Sequence, residues 1–396
     1  MGLNVELSAI IEIADSTQRE TRERLGDFDL TSIARHAMQE IAERATHFDS
    51  PAEKTAVQLE LIAREGERHA FLLIVGPGEP IARLGRLESA PVRISQDFAE
   101  MLRAIYGTRF ARHDATREVW LRNEPGPRTD GPEDPWHAKA RAATVAAGQV
   151  LSAISLEDVN LGALARRLGT DKWGVHFYTP HYERHFSEYR DQRVNVLEIG
   201  VGGYAHPSRG GESLRMWKAY FHRGLIYGLD LHDKSALDRP RIETIQGDQS
   251  DAQMLSAIAA EIGPLDIVID DGSHLSDHVL TSFAALFPSM ASGGVYVIED
   301  LQTAYWPGWN GGRSSHDDPQ TTTGFLKTLI DALHHQDRIT ASSPIPPNIQ
   351  HEIRGIHLYH NIVFIEKGLN TEQGAPSWIR RDPVAPTHQS CGRGQH

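Results

Sequence analysis

The stretch Asp266-Ile-Val-Ile-Asp-Asp-Gly-Ser-His274 decides the fold, because an apolar run breaks abruptly into two carboxylates, a glycine, a hydroxyl and an imidazole. Such a run predicts a buried parallel strand whose carboxyl end opens on a ligand-binding crevice. A second predicted strand, Gly293–Asp300, also ends in two acids. We therefore expect one cleft to contain His274 and four acids, namely Asp270, Asp271, Glu299 and Asp300. A hard divalent cation would neutralise such a cluster, whereas simple solvated acids are the alternative.

Composition limits the classes of protein to which the chain can belong. Its 396 residues exceed the usual size of a single core, which predicts two domains. A formal net charge of −13 argues against a nucleic-acid partner and favours a small molecule. The single cysteine, Cys391, excludes an intrachain disulfide framework and agrees with a cytoplasmic protein. No segment approaches the ~18 apolar residues of a membrane helix, and the N-terminus lacks a signal-peptide pattern.

The first part of the chain, residues 1–130, predicts a small mixed α/β auxiliary domain. Helical periodicity runs through 4–45, a hairpin through 55–75, and a strand and a helix through 91–106. No acids, histidines or glycines converge here, so we expect a role in assembly. The proline- and glycine-rich run 123–135 predicts a linker.

The second part, residues 136–396, predicts the catalytic domain. Residues 138–154 predict a connecting helix that packs on this domain. Strands at 194–199, 225–229 and 242–245 precede the opening stretch, with helices at 213–220 and 253–262. A helix at 322–333 and an antiparallel pair at 353–359 and 362–366 follow, and the chain from Asp382 predicts a mobile tail. The class is therefore α/β.

A glycine loop follows the first strand of this domain in Val196-Leu-Glu-Ile-Gly-Val-Gly-Gly-Tyr204. A dinucleotide fingerprint fails, because its third glycine would fall at Ala205. The loop instead resembles the E-x-G-x-G loop of S-adenosylmethionine-dependent methyltransferases, in a Rossmann-like domain. In that fold an acid such as Asp230 holds the ribose, and a segment such as Gln246–Gln249 lines the adenine.

A more specific resemblance covers most of the chain. It is carried by 198–204, 213–218, 227–230, 245–249, 266–274, 282–288, 296–300 and 303–307. These motifs resemble the macrolide and polyketide deoxysugar O-methyltransferases of the mycinamicin type, which include rhamnosyl O-methyltransferases of antibiotic biosynthesis. The resemblance implies S-adenosylmethionine and Mg²⁺ as cofactors, a glycosylated polyketide substrate, an N-terminal auxiliary domain and a homotetramer.

The same resemblance implies a role for individual residues. The metal ligands correspond to Asp271, Glu299 and Asp300, and the catalytic base corresponds to His274. The cofactor-binding set comprises Thr170, Tyr178, Glu198, Gly200, Gly202, Ser213, Asp230, Gln246, Asp248 and Asp270. The expected acceptor contacts are Tyr204, Tyr305 and Trp306, and Trp309 lies in the same glycine-rich loop.

The expected chemistry is methylation of a sugar hydroxyl, with the 2-hydroxyl of rhamnose or another deoxyhexose preferred. A hydroxyl is a poor nucleophile until a metal and a base activate it, which explains the acids and His274. The 3-hydroxyl, or a phenol or catechol, is the alternative acceptor. A metal-dependent hydrolase and a non-catalytic assembly protein are two other hypotheses. The hydrolase would not need Glu198, the glycine loop and Asp230, and the assembly protein would not need the three acids and His274.

Overall fold

Two β-sheets organise the chain. The computed structural model describes residues 2–63, 66–108, 111, 115–122, 135–155, 160–310, 312–337 and 345–371, together with 373, 374, 376 and 378. The α-helices are α1 Gly2–Ala14, α2 Gln18–Arg24, α3 Leu30–Ala45, α4 Phe98–Tyr106, α5 Pro135–Ser155, α6 Leu161–Leu168, α7 Thr179–Phe186, α8 Glu212–Tyr220, α9 Ala252–Ile262, α10 Ser276–Leu286, α11 Thr322–Leu333 and α12 Pro347–Gln350. The strands are β1 Thr55–Ile62, β2 Arg68–Val75, β3 Ile81–Leu84, β4 Val92–Asp97, β5 Glu118–Leu121, β6 Asn195–Ile199, β7 Leu225–Asp230, β8 Ile242–Gln246, β9 Leu265–Asp270, β10 Met290–Ile298, β11 Ile353–Tyr359 and β12 Ile362–Lys367.

The first sheet has five strands in the order β3-β2-β1-β4-β5. The predicted hairpin is confirmed, since β1 and β2 pair antiparallel from Thr55 with Val75 to Ile62 with Arg68. Helix α3 is capped by Asp29, whose carboxylate accepts a hydrogen bond from the Thr31 amide. Alternating buried residues of β1, such as Val57, Leu59 and Leu61, form a core with the buried face of α3.

Helix α5 does not pack where the sequence predicted. We expected it on the second domain, but its small residues join the core of the first sheet with α3 and α4. The Gln149 side chain donates a hydrogen bond of 2.8 Å to the Ala45 carbonyl at the end of α3. Periodicity and alanine content predict a helix with an apolar face, but they do not say which sheet that face covers.

The second sheet has seven strands in the order β11-β12-β10-β9-β6-β7-β8. Strands β10, β9, β6, β7 and β8 run parallel, and β12 and β11 add an antiparallel edge, as predicted. Strands β6 and β9 are adjacent at the centre of the sheet, so their carboxyl ends place the glycine loop beside Asp271. Parallel sheets with helices on their faces bind ligands at this edge.

Buried ion pairs connect α3, which packs on the first sheet, to α8 and the start of β8 in the second. Glu40 of α3 is fully buried and accepts hydrogen bonds from Arg44 at 2.8 Å and from Arg241 at the start of β8. Lys218 of α8 lies 3.2 Å from the same carboxylate. Burial alone raises the pKa of Glu40, but the three cations outweigh that effect and hold it well below its usual value. Glu40 is therefore an ionised buried acid with three cationic partners.

Two predicted segments lie outside the described residues. These are residues 123–134 of the expected linker and the expected tail from Asp382. Within the part of the chain that the structure describes, no helix combines the length and the apolar character needed to cross a membrane.

Candidate active site

The acids predicted at the ends of β9 and β10 form a cluster with His274. One oxygen of Asp271, one oxygen of Asp300 and one ring nitrogen of His274 lie within 4.8 Å of one another. The His274 Nε2 atom is 3.7 Å from Asp300 Oδ2. Glu299 is only 4% exposed and turns its Oε1 atom toward Lys172 instead. Of the three predicted metal ligands and the predicted base, the structure thus places Asp271, Asp300 and His274 in one group, with Glu299 beside it.

Lys172 is a buried cation between the acids and the glycine-loop strand. Its side chain is 0% exposed, and its Nζ atom donates to Asp271 Oδ2 at 2.8 Å and to Glu299 Oε1 at 2.7 Å. Glu198 Oε1 lies 3.4 Å from the same Nζ. Burial lowers the pKa of Lys172, but Asp271, Glu299 and Glu198 outweigh it, so the net pKa lies well above its usual value. Lys172 therefore links the acid cluster to the strand that precedes the glycine loop.

The three acids still offer free oxygens to a cation. Asp271 uses Oδ2 and Glu299 uses Oε1 for Lys172, while Asp300 uses Oδ1 for Tyr178. Asp271 Oδ1, Glu299 Oε2 and Asp300 Oδ2 accept no hydrogen bond from any described residue. Burial raises the pKa of Glu299 well above its usual value, and the charge of Asp271 adds to that effect. Carboxylate oxygens of this kind are the ligands that Mg²⁺ prefers, so the residues fit a hard divalent cation.

Helix α7 and the segment before it cover the cluster with aromatic residues. The Tyr178 hydroxyl donates to Asp300 Oδ1 at 2.7 Å, and the Tyr182 hydroxyl donates to Glu299 Oε1. His176 stacks on Tyr178 and has its Nε2 atom 3.6 Å from Asp300 Oδ1. The sequence assigned Tyr178 to the cofactor, but the structure places its hydroxyl on a predicted metal ligand.

Two residues of the cluster have unusual backbone conformations. His274 has φ of 57° and Asp300 has φ of 52°, in the left-handed region that non-glycine residues rarely adopt. The Thr303 hydroxyl lies 3.3 Å from the His274 carbonyl and 2.8 Å from the Asp300 carbonyl. Strained conformations of this kind persist where surrounding structure fixes them, and they occur often at functional sites.

The glycine loop passes very close to the acid strand. Gly200 has φ of +94°, and a Cβ atom at this position would lie 2.3 Å from the Asp271 carbonyl oxygen. Gly202 also has a positive φ of +77°. Glu198 accepts hydrogen bonds from Ser213 Oγ at 2.7 Å and from Trp217 Nε1 at 3.1 Å. The loop and the acid strand therefore form one continuous edge.

Asp230 closes the other side of this loop. Its carboxylate accepts the Val201 amide at 3.0 Å and the His232 amide at 2.9 Å. At the end of β8, Gln246 and Asp248 are exposed, and Asp248 is bonded to Ser250 at 2.8 Å and 2.7 Å. The buried Thr170 hydroxyl accepts the Lys172 amide at 3.3 Å. These residues lie along the edge where the sequence placed the cofactor.

Asp270 lies away from this edge, contrary to the expectation that four acids share the cleft. Its side chain is 1% exposed and accepts hydrogen bonds from Gln249 at 2.6 Å, from Ser282 of α10 and from Tyr296 at 3.3 Å. Burial raises its pKa to about 6. Because successive residues of a strand point to opposite faces, Asp271 faces the crevice and Asp270 faces α10. The geometry gives no support to the expected place of Asp270 beside the cofactor.

The predicted acceptor aromatics are exposed. Tyr204 is 92% exposed, Tyr305 is 52% exposed, and Trp306 packs edge-on against Trp309 at 5.9 Å between ring centroids. A groove of about 490 Å³ lies beside Tyr305 and is lined mainly by Leu301, Leu326, Ile330, Leu358 and Tyr359. Only Tyr305 of the three predicted acceptor residues lines this groove.

Sequence reasoning missed Lys172, Tyr182 and His176. All three lie in 168–182, a stretch dense in polar and aromatic residues, from which only Thr170 and Tyr178 were selected. A lysine flanked by Asp171 and Trp173 carries no signal of its own, because its partners are 99 and 127 residues away. The sequence does contain one indirect signal for Lys172. The predicted cleft holds several acids, and buried carboxylates need a cationic partner.

The fold and this edge define an S-adenosylmethionine-dependent methyltransferase. Residues 7–117 match the family described as "MycE methyltransferase N-terminal". The chain is 43% identical to mycinamicin VI 2''-O-methyltransferase of Micromonospora griseorubida, over 97% of this chain and 96% of that protein. It is 40% identical to 8-demethyl-8-alpha-L-rhamnosyl tetracenomycin-C 2'-O-methyltransferase of Streptomyces olivaceus, over 94% of this chain and 97% of that protein.

A solved structure agrees with these relatives. MycE methyltransferase in complex with Mg and SAH superimposes with a TM-score of 0.84 at 43% identity, covering 95% of this chain and 96% of that one. The chain belongs to the MycE family of O-methyltransferases that act on the sugars of macrolides and related polyketides. Family membership decides against the hydrolase and assembly-protein hypotheses.

Proposed function

We propose that this protein transfers a methyl group from S-adenosylmethionine to the 2-hydroxyl of a deoxyhexose, with rhamnose preferred, on a polyketide glycoside. The observation that carries the proposal is the continuous edge formed by Gly200, Glu198, Asp271 and His274, which brings a cofactor loop, acids and a base together. Two of the relatives are named as a 2''-O-methyltransferase and a 2'-O-methyltransferase, and the name of the second specifies a rhamnosyl substrate.

The cofactor is proposed to lie along the loop from β6 to Asp230. The open backbone at Gly200 and Gly202 would let the ligand approach closely, and the Asp230 carboxylate, which accepts the Val201 amide, is proposed to receive the ribose hydroxyls as well. Glu198 and Ser213, which are hydrogen-bonded to each other, are proposed to fix the position of the loop. Thr170, which accepts the Lys172 amide, is proposed to border the cofactor, and Gln246 and Asp248 are proposed to line the adenine. Tyr178 is proposed to orient Asp300, to which its hydroxyl donates, rather than to contact the cofactor.

Asp271, Glu299 and Asp300 are proposed to hold Mg²⁺ through their free oxygens. When bound, the ion would lower the pKa of a sugar hydroxyl and orient its neighbour. Lys172 and the hydroxyls of Tyr178 and Tyr182 hold the other oxygen of each acid, so the carboxylates are oriented before any ligand arrives. Preorganised charge of this kind costs no rearrangement during the reaction.

His274 is proposed to be the general base. Its ring nitrogen lies 3.7 Å from Asp300 Oδ2, in the same group as Asp271. As the sugar oxygen forms its bond to the methyl carbon, the carbon–sulfur bond breaks and the electron pair returns to sulfur. The hydroxyl proton passes to the His274 ring, and the neighbouring carboxylates stabilise the imidazolium that forms.

The acceptor groove is proposed to be the apolar channel beside Tyr305. It adjoins the acid cluster through Asn361, whose carbonyl lies 3.4 Å from the Tyr178 hydroxyl that contacts Asp300. Its aliphatic and aromatic walls suit a polyketide aglycone, while the acids suit the sugar hydroxyls. Tyr204, in the loop after β6, and Trp306, in the loop after β10, do not line this groove, and we propose them as further acceptor contacts.

The test is a mass-spectrometric screen of methyl transfer to a panel of rhamnosylated polyketides, with the position of the new methyl group determined by NMR. Methylation of the 2-oxygen of rhamnose is expected. A product methylated on the 3-oxygen would favour the alternative regiochemistry. Transfer to a free phenol or catechol with no transfer to any sugar would refute the proposal.

The His274→Ala variant tests whether His274 acts as the base or only contributes to binding. Turnover should fall by about 10²- to 10⁴-fold, the usual effect of losing a general base, while cofactor affinity persists. His278→Ala is the matched control, because its ring contacts Ser273 in the same segment without entering the acid group. Near-normal turnover of His274→Ala on an accepted substrate would exclude His274 as the base.

The division of the chain into an assembly domain at 1–130 and a catalytic domain at 136–396 is also a proposal. The relatives' family pattern at 7–117 falls within the first unit, but α5 packs with that unit as well. We propose a homotetramer assembled through this unit. Light scattering at micromolar concentration should give four times the 44.0 kDa chain mass, and a monomer mass would contradict the proposal.

A further inference from the structure

A second group of ligand-type side chains lies between α7 and the terminal hairpin. His185 is on α7, His357 is on β11 and Glu366 is on β12. One ring nitrogen from each histidine and one carboxylate oxygen lie within 4.8 Å of one another. The His357 Nε2 atom is 2.8 Å from Glu366 Oε1, and the rings of His185 and His357 are 4.6 Å apart between centroids.

The hairpin register brings these side chains to one face. His357 pairs with Phe364, and Gly355 pairs with Glu366, so all four positions face the same side of the sheet. A Cβ atom at Gly355 would lie 3.0 Å from Glu366 Oε2. The absence of a side chain at 355 therefore leaves the space that the Glu366 carboxylate occupies.

The His185 ring is held in a fixed orientation. It stacks on Phe364 with 4.3 Å between centroids and an angle of 22°, and its Nε2 atom is 3.0 Å from the Tyr359 hydroxyl. Burial, with a further contribution from His357, lowers the pKa of His185 to about 4, so the ring is neutral at physiological pH. A neutral imidazole with an oriented ring is the form that binds metals.

The donor set selects the kind of ion. Two imidazoles and one carboxylate suit borderline cations such as Zn²⁺, which takes three protein ligands and a water in open sites, whereas Mg²⁺ prefers an all-oxygen shell. The His357 side chain is 41% exposed and that of Glu366 is 34% exposed, which gives an ion a route from solvent. The group lies outside the acid cluster, whose members are Asp271, His274 and Asp300.

We propose that His185, His357 and Glu366 form a second cation site, distinct from the acids at the sheet edge, that binds one Zn²⁺ ion per chain. The ion would join α7 to the β11–β12 hairpin. Helix α7 also carries Tyr182, which bonds to Glu299, and Tyr359 of the hairpin lines the acceptor groove. The site would therefore fix two elements that border the active site without taking part in methyl transfer.

The experiment counts Zn²⁺ bound by the full chain after metal removal, in excess Mg²⁺, by competition with a colorimetric zinc chelator. Glu366→Gln and His357→Ala should each remove one bound Zn²⁺ per chain or weaken it by about 100-fold or more. Tyr359→Phe, which removes the outer partner of His185, should weaken it by about 10-fold. His351→Ala is the matched control, since its ring is paired with His335 at 4.5 Å without joining any metal-ligand group of the described residues.

The variants must remain folded for the comparison. Their thermal unfolding midpoints without Zn²⁺ should match the parent protein. Zn²⁺ should raise the midpoint of the parent and of His351→Ala, but not that of His357→Ala or Glu366→Gln. Zn²⁺ binding that survives in both His357→Ala and Glu366→Gln would overturn the proposal. Loss of the same ion in His274→Ala would also overturn it, because the ion would then belong to the acid cluster.

Discussion

Replacing Lys172 with methionine tests how the acid cluster is held together. The Nζ atom lies 2.8 Å from Asp271 and 2.7 Å from Glu299, and each contact amounts to about 6 kcal/mol of attraction at an effective dielectric constant of about 20. Desolvation of the ammonium offsets several kcal/mol of that attraction. Methionine fills a similar volume without the charge, so the variant isolates the electrostatic contribution.

Proton uptake sets the size of the loss. Without Lys172 the buried acids can offset the lost positive charge by binding one more proton. Protonating a carboxylate whose unfolded pKa is ~4.3 costs about 1.4 kcal/mol for each pH unit above that value. The free energy of unfolding should therefore fall by about 4 kcal/mol at pH 7.5 and by about 1.6 kcal/mol at pH 5.5. This range agrees with the ~3 to 5 kcal/mol typical of breaking a buried ion pair.

The sign of the pH dependence follows from the direction of the pKa shifts. Lys172 has a raised pKa, so its stabilising effect is complete below the unfolded value near pH 10 and stays constant between pH 5.5 and 7.5. The carboxyl pKa values of Glu198, Asp271 and Glu299 are already raised, mainly by burial, and rise further without the lysine. The parent should therefore lose some stability as pH increases through this window, and the variant, whose folded state binds one more proton, should lose more.

Urea denaturation in a chelator, at the two pH values, measures the difference. Lys367→Met is the matched control, because that buried lysine donates to the Phe287 and Pro288 carbonyls at 2.8 Å and, among the described residues, forms an ion pair with one carboxylate, that of Glu352. Its loss of stability should change much less with pH. A Lys172→Met deficit below ~1 kcal/mol, or one equal at both pH values, would refute the electrostatic account.

Three further outcomes are expected. Asp230→Ala should weaken S-adenosylmethionine binding by about 1 to 3 kcal/mol in calorimetry, because the ribose hydroxyls would lose their proposed acceptor. An unchanged dissociation constant would contradict that role. Exhaustive chelation should abolish methyl transfer, which Mg²⁺ should restore, because the three acids offer free oxygens to a cation; full turnover in the chelator would contradict this. Glu40→Gln should destabilise the fold by about 3 to 5 kcal/mol at neutral pH, as it leaves Arg241 without its carboxylate. Because the pKa of Glu40 is depressed, that deficit should shrink as pH falls below about 4, and a deficit that stays constant in acid would refute the ionised state.

The strands and helices of the second sheet were predictable because their periodicity is strong. Strand β9, with its apolar run and terminal acids, and the antiparallel pair β11 and β12 lie where the sequence predicted. The opposite orientations of Asp270 and Asp271 also follow from strand geometry. What the sequence could not supply was the identity of the partners of each acid, because those partners come from distant segments.

Two cases show this limit. Lys172 reaches Asp271 and Glu299 across 99 and 127 residues, so no local pattern reveals it. Helix α5 has an apolar face that suits either sheet, and only its contacts with α3, α4, β1 and β4 show that it packs on the first. Periodicity specifies a face, whereas tertiary contact specifies what that face meets.

The buried Glu40 group has a consequence for building chimaeras within this family. Arg241 and Lys218 come from the second half of the chain and Arg44 comes from the first, and all three cations share the Glu40 carboxylate. Exchanging the front half of the chain between relatives would separate an acid from its cations unless both sides carry the same arrangement. A hybrid gene should therefore be designed with Glu40, Lys218 and Arg241 inherited as a set, whichever acceptor specificity is being transplanted.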